Sequence, residues 1–163
     1  MTIRDVKPKD AASICDIYNE HVRNTVVTFE FDVVGEVEMR ERISSITQTY
    51  PWIVLEKDGA LCGYAYATEW RHRVAYQQTV ETAIYVSEDA QGCGYGRELY
   101  LALIERLRLS SRGFHVALGA IALPNPASIA LHEKLGFKKV AEFPEVGRKF
   151  ERWINVGFWQ LDL

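Results

Sequence analysis

The order of patterns along the chain predicts one α/β domain, residues 1–163, with strands and helices interleaved. Three observations carry this prediction. Thr79 to Leu107 reads as a strand, a Gly-rich turn and a long amphipathic helix. Asp58-Gly59 separates two strand-like runs, Trp52 to Glu56 and Leu61 to Ala67, as a hairpin turn would. Val116 to Ala122 is almost continuously apolar, the pattern of a strand covered on both faces, and Asn125-Pro126 then opens a short helix.

The remaining elements follow in order. Thr2 to Val6 is a short strand, and Pro8 opens a helix with Ala11, Ile14, Cys15, Tyr18 and Val22 on one face. A second amphipathic helix is expected from Val37 to Thr49. Glu69 to Gln77 is polar and reads as a loop; Thr79 to Val86 is the next strand. The long helix buries Leu99, Tyr100, Leu103, Ile104 and Leu107, and Gly113 is its expected C-cap. The helix from Asn125 runs to about Leu135, ended by Gly136. Lys139 to Phe143 and Ile154 to Leu161 are two late strands.

Composition limits the function classes. The chain has 163 residues, 48% of them hydrophobic and 25% charged, the balance of a globular protein rather than a disordered one. Its formal net charge of −3 provides no global field for nucleic acid, so an anionic ligand must be held by a local device. No apolar run reaches the roughly 18 residues of a membrane span, and Met1 to Asp5 leads into no signal-peptide core. The three cysteines and four histidines are dispersed without metal-ligand spacing. The expectation is a cytoplasmic protein with reduced thiols and no metal.

Gln91-Gly92-Cys93-Gly94-Tyr95-Gly96 is such a device. Glycines let successive N–H groups approach a ligand, and the helix that follows adds unpaired donors and the positive end of its dipole. A Walker loop would continue with Lys-Ser or Lys-Thr, but Arg97-Glu98 follows Gly96. A dinucleotide fingerprint would place its third glycine at Arg97 or Leu99, and neither position has one. Glycines serving only a tight turn remain the structural alternative.

This turn resembles the Arg/Gln-x-x-Gly-x-Gly/Ala signature of the GNAT acetyltransferases, whose backbone holds the pyrophosphate of coenzyme A. Ile14-Cys15-Asp16-Ile17-Tyr18-Asn19, Thr28-Phe29-Glu30, Gly63-Tyr64-Ala65-Tyr66-Ala67, Val80 to Ser87, Leu131-His132-Glu133-Lys134-Leu135-Gly136-Phe137 and Val156-Gly157-Phe158-Trp159-Gln160 resemble the phosphinothricin and methionine-sulfoximine branches of that superfamily. The resemblance implies the GNAT fold, a mixed, mostly antiparallel twisted sheet flanked by helices, with acetyl-CoA as cosubstrate. It implies a cofactor site at Gln91, Gly92, Cys93, Gly94, Tyr95, Gly96 and Arg97, at Ile84, Tyr85 and Val86, and at Asn125 and Ser128. It implies acceptor contacts from Phe29, Glu30, Arg71, Arg73, Tyr76 and Thr82. It also implies a homodimer, with Phe158 and Trp159 as contributors to its packing.

Amide formation needs a deprotonated amine, a polarised thioester and a departing thiolate. A free α-amino group titrates at about 7.7–8.0, so a base has a modest task. Glu81 shares a strand face with Ala83 and Tyr85, where partial desolvation would raise its basicity; an arginine-paired structural carboxylate is the alternative. In the resembled family this glutamate is the proposed base, and His132 matches a histidine near the active site. His132 follows Ser128 by four residues on one helix face, and a packed structural histidine fits equally. Many GNAT enzymes have a tyrosine where this chain has Phe137, so water or another group must protonate the thiolate. Arg71 and Arg73, beside Trp70 and Tyr76, suit a bidentate hold on a carboxylate or phosphinate, or form a solvated loop. A small amino-acid-like acceptor is therefore expected. A protein N-terminal or lysine acetyltransferase is the enzyme alternative, and a noncatalytic acyl-CoA-binding module the other.

Overall fold

The computed structural model describes Met1–Leu163. In chain order the elements are β1 Thr2–Asp5, α1 Ala11–Asn24, α2 Glu36–Ile46, β2 Trp52–Lys57, β3 Ala60–Glu69, β4 Thr79–Val86, α3 Tyr95–Arg108, β5 Val116–Leu123, α4 Pro126–Lys134, β6 Lys138–Lys149 and β7 Arg152–Asp162. The seven strands form one sheet in the order β1-β2-β3-β4-β5-β7-β6. Every neighbouring pair is antiparallel except β4 and β5. A parallel pair needs a crossover, and α3 provides it.

Strand alternation sorts the core into two layers. Trp52, Val54 and Tyr64 face α1 and α2, packing with Ile14, Val22 and Met39. Ile53, Leu55, Ala65, Ala67 and Val80 face α3, packing with Leu99, Leu103 and Leu107. Because helices cover both faces, β2 reads as a continuous apolar run rather than an alternating one. Each of the three α3 leucines is fully buried, worth about 1.5–3 kcal/mol apiece in apolar transfer.

The parallel pair places the site. β4 and β5 are in register from Thr79↔Val116 to Thr82↔Gly119 and then separate. Beyond that point β4 stays paired with β3 as far as Val86, and β5 stays paired with β7 as far as Leu123. The sheet thus forks, leaving two inner strand edges that face each other unpaired.

Several expectations are corrected. Pro8 starts a single 3₁₀ turn, Pro8–Asp10, and α1 begins only at Ala11; the Asp10 carboxylate caps that turn by accepting from the Lys7 N–H at 2.7 Å. α2 ends at Ile46 rather than Thr49, where the Thr47 hydroxyl donates back to the Ile43 carbonyl. Gly113 is not the C-cap of α3: the helix stops at Arg108 with Leu109 as its cap, and Gly113 bends a later turn at φ 63°. β6 does not end at Phe143. Its pairing with β7 shifts register between Phe143 and Gly147, which absorbs Pro144 and lets the strand continue to Lys149. Trp159 is not free for a partner: it is buried in the α3 layer, its Nε1 donating to Glu133 at 3.3 Å.

Candidate functional site

The fork encloses a cavity of about 250 Å³. Ala83, Ile84 and Tyr85 line one side and Ala120, Ile121 and Ala122 the other. Because the cavity passes through the sheet, it collects side chains from both faces. Glu81 and Tyr66 arrive from the α1–α2 face, Thr82 and His132 from the α3–α4 face, and Phe29 from the irregular segment after α1. Asn125 and Ser128 complete the wall at the start of α4.

Glu81 forms no ion pair, so the arginine-paired alternative is not realised. Burial, the sole influence on its carboxyl, raises the pKa above the ordinary carboxylate range. Such a group is more basic than a surface glutamate, and no neighbour competes for its lone pairs. That is the condition of a general base waiting for a substrate proton.

On the other face His132 ends a closed chain of contacts. Its Nδ1–H donates to the Ser128 carbonyl at 2.7 Å, and its Nε2 lies 3.0 Å from the Tyr100 hydroxyl. The Tyr100 hydroxyl is 2.7 Å from Thr82 Oγ1, which in turn reaches the Leu118 carbonyl at 3.0 Å. Both ends are carbonyls, which only accept. Neutral His132, Tyr100 and Thr82 supply one proton each for these four contacts, so one contact lacks a proton. A proton added to the imidazole would fill all of them. Burial opposes that charge and holds the His132 pKa below its ordinary value, while the Ser128 carbonyl pulls the other way. The ring stacks edge-on against Phe137, which is buried and offers no hydroxyl.

Sequence reasoning missed two members of this arrangement. Tyr100 reads as one more apolar residue of the α3 stripe, although its hydroxyl is the centre of the chain. A lone phenol within a leucine stripe was the available signal. Gly119 lies where a Cβ would meet His132 Nε2 at 2.4 Å, so only glycine leaves room for the imidazole. Its isolated position in an apolar strand was the clue to a close approach.

The Gly-rich turn is built from backbone. Gly92 and Gly94 have φ of 75° and 82°, and a Cβ on either would point into open space. The N–H groups of Gly92, Cys93, Gly94, Tyr95 and Gly96 find no acceptor within the chain. Gly94 is the N-cap of α3 without any side-chain cap. Five free donors at a helix N-terminus form an anion cradle, and they fit the pyrophosphate of acetyl-CoA. Gly96 lies against the fork: a Cβ there would make ordinary contacts of 3.6 and 3.8 Å with Leu131 of α4 and Val86 of β4. Gln91, Cys93 and Tyr95 also border a wider cleft against α1, while Arg97 pairs with Glu98 on the surface. No cluster of His, Cys, Asp or Glu could hold a metal ion.

The residues expected to contact the acceptor fall into two groups. Phe29 and Thr82 line the cavity; Glu30 does not, and its carboxylate is held by Arg42 at 2.7 and 3.3 Å. Arg71, Arg73 and Tyr76 lie outside the cavity on an exposed loop, where the Arg71 guanidinium stacks over Trp70 and Tyr76. That loop leaves β3 just beyond Thr68, the register partner of Glu81. Trp70 packs edge-on against Phe158, the partner of the cavity residue Ala120. The loop therefore flanks the Glu81 end of the fork.

Comparison with known proteins agrees with this geometry. The model of the acetyltransferase (GNAT) domain matches residues 3–157. A phosphinothricin N-acetyltransferase of Streptomyces viridochromogenes is 36% identical, over 98% of this chain and 86% of the relative. An L-methionine sulfoximine/L-methionine sulfone acetyltransferase of Pseudomonas aeruginosa is 38% identical, over 99% of this chain and 94% of the relative. The crystal structure of a GNAT-superfamily phosphinothricin acetyltransferase from Sinorhizobium meliloti in complex with acetyl-CoA superposes with a TM-score of 0.95 at 41% identity, covering 99% of this chain and 88% of that one. The forked sheet, the amide cradle and these matches together make the chain a member of the GNAT acetyltransferases, enzymes that use acetyl-CoA.

Proposed function

We propose that this enzyme acetylates the amino group of a small amino-acid-like acceptor, of the kind represented by phosphinothricin and methionine sulfoximine or sulfone. The observation that carries the reading is the unpaired, half-buried Glu81 at the opposite end of the fork from the amide cradle. Acetyl-CoA supplies the thioester. Gln91 to Arg97 hold its pyrophosphate, with Asn125 and Ser128 along its path. Glu81 takes the ammonium proton of the acceptor, directly or through water, and the freed amine forms the new C–N bond as the C–S bond breaks. The free inner edge of β4, from Ile84 to Val86, presents backbone donors where negative charge develops, and they need no reorganisation to act. His132 is the proton-handling group on the other face, backed by Tyr100 and Thr82. Since Phe137 has no hydroxyl, the departing sulfur takes its proton from water or from this side.

Phe29 forms the apolar wall of the acceptor space, with Glu30 behind it, and Arg71, Arg73 and Tyr76 receive the acceptor's anionic group at the mouth. The low net charge fits a small-molecule partner rather than nucleic acid, and no helix is long and apolar enough to cross a membrane. We also assign the chain to the cytoplasm as one domain that forms a homodimer; sedimentation at micromolar concentration tests the dimer, and a monomer there would remove it. Thiol release from acetyl-CoA, assayed with phosphinothricin, methionine sulfoximine and a peptide bearing a free N-terminus, tests the acceptor class. Turnover confined to the amino-acid acceptors is expected; preference for the peptide would overturn the reading.

A further inference from the structure

Lys149, near the end of β6, is 1% exposed, an unusual place for an ammonium group. Its Nζ donates to one group, the Thr28 carbonyl at 2.8 Å. Thr28 and Phe29 line the cavity opposite Glu81, on a segment with no regular structure of its own. Neighbouring elements hold the same segment at three further points. Tyr18 of α1 hydrogen-bonds Thr28 Oγ1 at 2.7 Å, Arg42 of α2 binds Glu30, and the Phe29 ring lies on Gly147, where a Cβ would come within 2.3 Å of it. The hairpin that presents Gly147 and Lys149 turns through Phe150 and Glu151, both non-glycine residues with left-handed φ of 49° and 60°. Backbone strain of this kind persists where the surroundings enforce it. Burial lowers the Lys149 pKa, and the Glu30 carboxylate pulls it the other way.

We propose that Lys149 is a positioning residue for the acceptor: through the Thr28 carbonyl it fixes the Val27–Phe29 wall that faces Glu81. This rests on the acceptor reading above. Lys149 touches neither the amide cradle nor the fork, so its effect falls on the acceptor and not on acetyl-CoA.

The test is steady-state kinetics of the full chain with acetyl-CoA and phosphinothricin or methionine sulfoximine, for the parent and for Lys149→Met and Lys149→Arg, each checked by thermal melting. Lys149→Met removes a buried charge but leaves the Thr28 carbonyl without its donor, so its melting temperature serves to confirm that the variant is folded. Its acceptor KM should rise about tenfold or more, the scale of one lost charged hydrogen bond, while the KM for acetyl-CoA stays within about twofold. Lys149→Arg, which can still donate to the Thr28 carbonyl, should regain a measurable part of that loss. A folded Lys149→Met with a parent-like acceptor KM, or equal rises in both KM values, overturns the proposal. If the Met variant does not fold, Lys149→Gln is judged by the same split. A parent that releases no thiol with either acceptor removes the acceptor reading itself, a result distinct from failure of Lys149 alone.

Discussion

The two ends of the fork are made in opposite ways. The amide cradle comes from consecutive residues, Gly92 to Gly96, and its chemistry is backbone chemistry. The acceptor end is assembled from side chains brought together by the whole fold, with Thr28 and Lys149 meeting across 121 positions of sequence. A local backbone site tolerates change anywhere except in its own turn. An assembled site is open to change from several distant elements. Substitutions at the two ends should therefore fail in different ways.

The largest effect is expected at Glu81, at the opposite end of the fork from the cradle. Glu81→Gln should lower kcat by roughly 10²- to 10⁴-fold, the usual scale of losing a general base, with acetyl-CoA affinity retained. The same variant should be no less stable than the parent. The folded-state pKa of Glu81 is raised, so its ionised form costs stability at pH above the ordinary carboxylate value, and Gln removes that cost. A loss of melting temperature in Glu81→Gln would show that the carboxylate is structural after all.

At the cradle, Gly94→Val puts a β-branched residue at φ 82° and a side chain into the space left for the ligand. Strain alone of about 1–3 kcal/mol corresponds to roughly five- to 150-fold in affinity if the turn must relax to accommodate it. Calorimetry with CoA should show at least that loss, with acceptor specificity unchanged. Unaltered affinity in a folded variant would displace the pyrophosphate from this turn.

At the acceptor end, Arg71→Ala or Arg73→Ala should chiefly raise acceptor KM, by about tenfold for one charged contact, and leave kcat near the parent value. Equal KM values would return the loop to solvent and shift anion recognition elsewhere. The smallest effect on activity is expected far from both ends, at Asp10→Asn. Asp10 is buried against Arg4, with contacts of 2.7 and 2.9 Å, and Arg4 first among its neighbours holds its pKa down. A lowered folded-state pKa means that this stabilisation is present above the unfolded value and is lost as pH falls through the folded one. Asp10→Asn should cost about 1–3 kcal/mol at neutral pH by chemical denaturation, and the difference from the parent should shrink in acid.

This contrast also explains what could be read without coordinates. Thr79 to Val86 and the cradle after it are local patterns of glycine spacing and apolar alternation, and both the strand and the turn are where the residues indicated. Asn125 likewise caps α4 as expected, its side chain accepting from the Ser128 N–H at 3.1 Å. The fork could not be read, because it depends on where two strands 37 positions apart stop pairing, Thr79 with Val116, and no residue type marks that point. Tyr100 was hidden by its own stripe, and Trp159, expected by resemblance to help pack a dimer, lies in the α3 layer; a late aromatic strand gives no hint of which face meets a helix. The strand expected from Lys139 to Phe143 instead bulges past Pro144 and carries Lys149 to the Thr28 carbonyl.

Whether a desolvated Glu81 accepts the proton of the acceptor amine is decided by the pH dependence of kcat/KM for the acceptor. With acetyl-CoA saturating, the parent should gain rate with rising pH through a lower limb set by the raised Glu81 pKa, without waiting for the acceptor's own amine to deprotonate. Glu81→Gln should lack the lower limb and retain only the amine limb, at a much reduced plateau. A lower limb that persists in the variant, or a parent-like plateau, would leave Glu81 as scaffold.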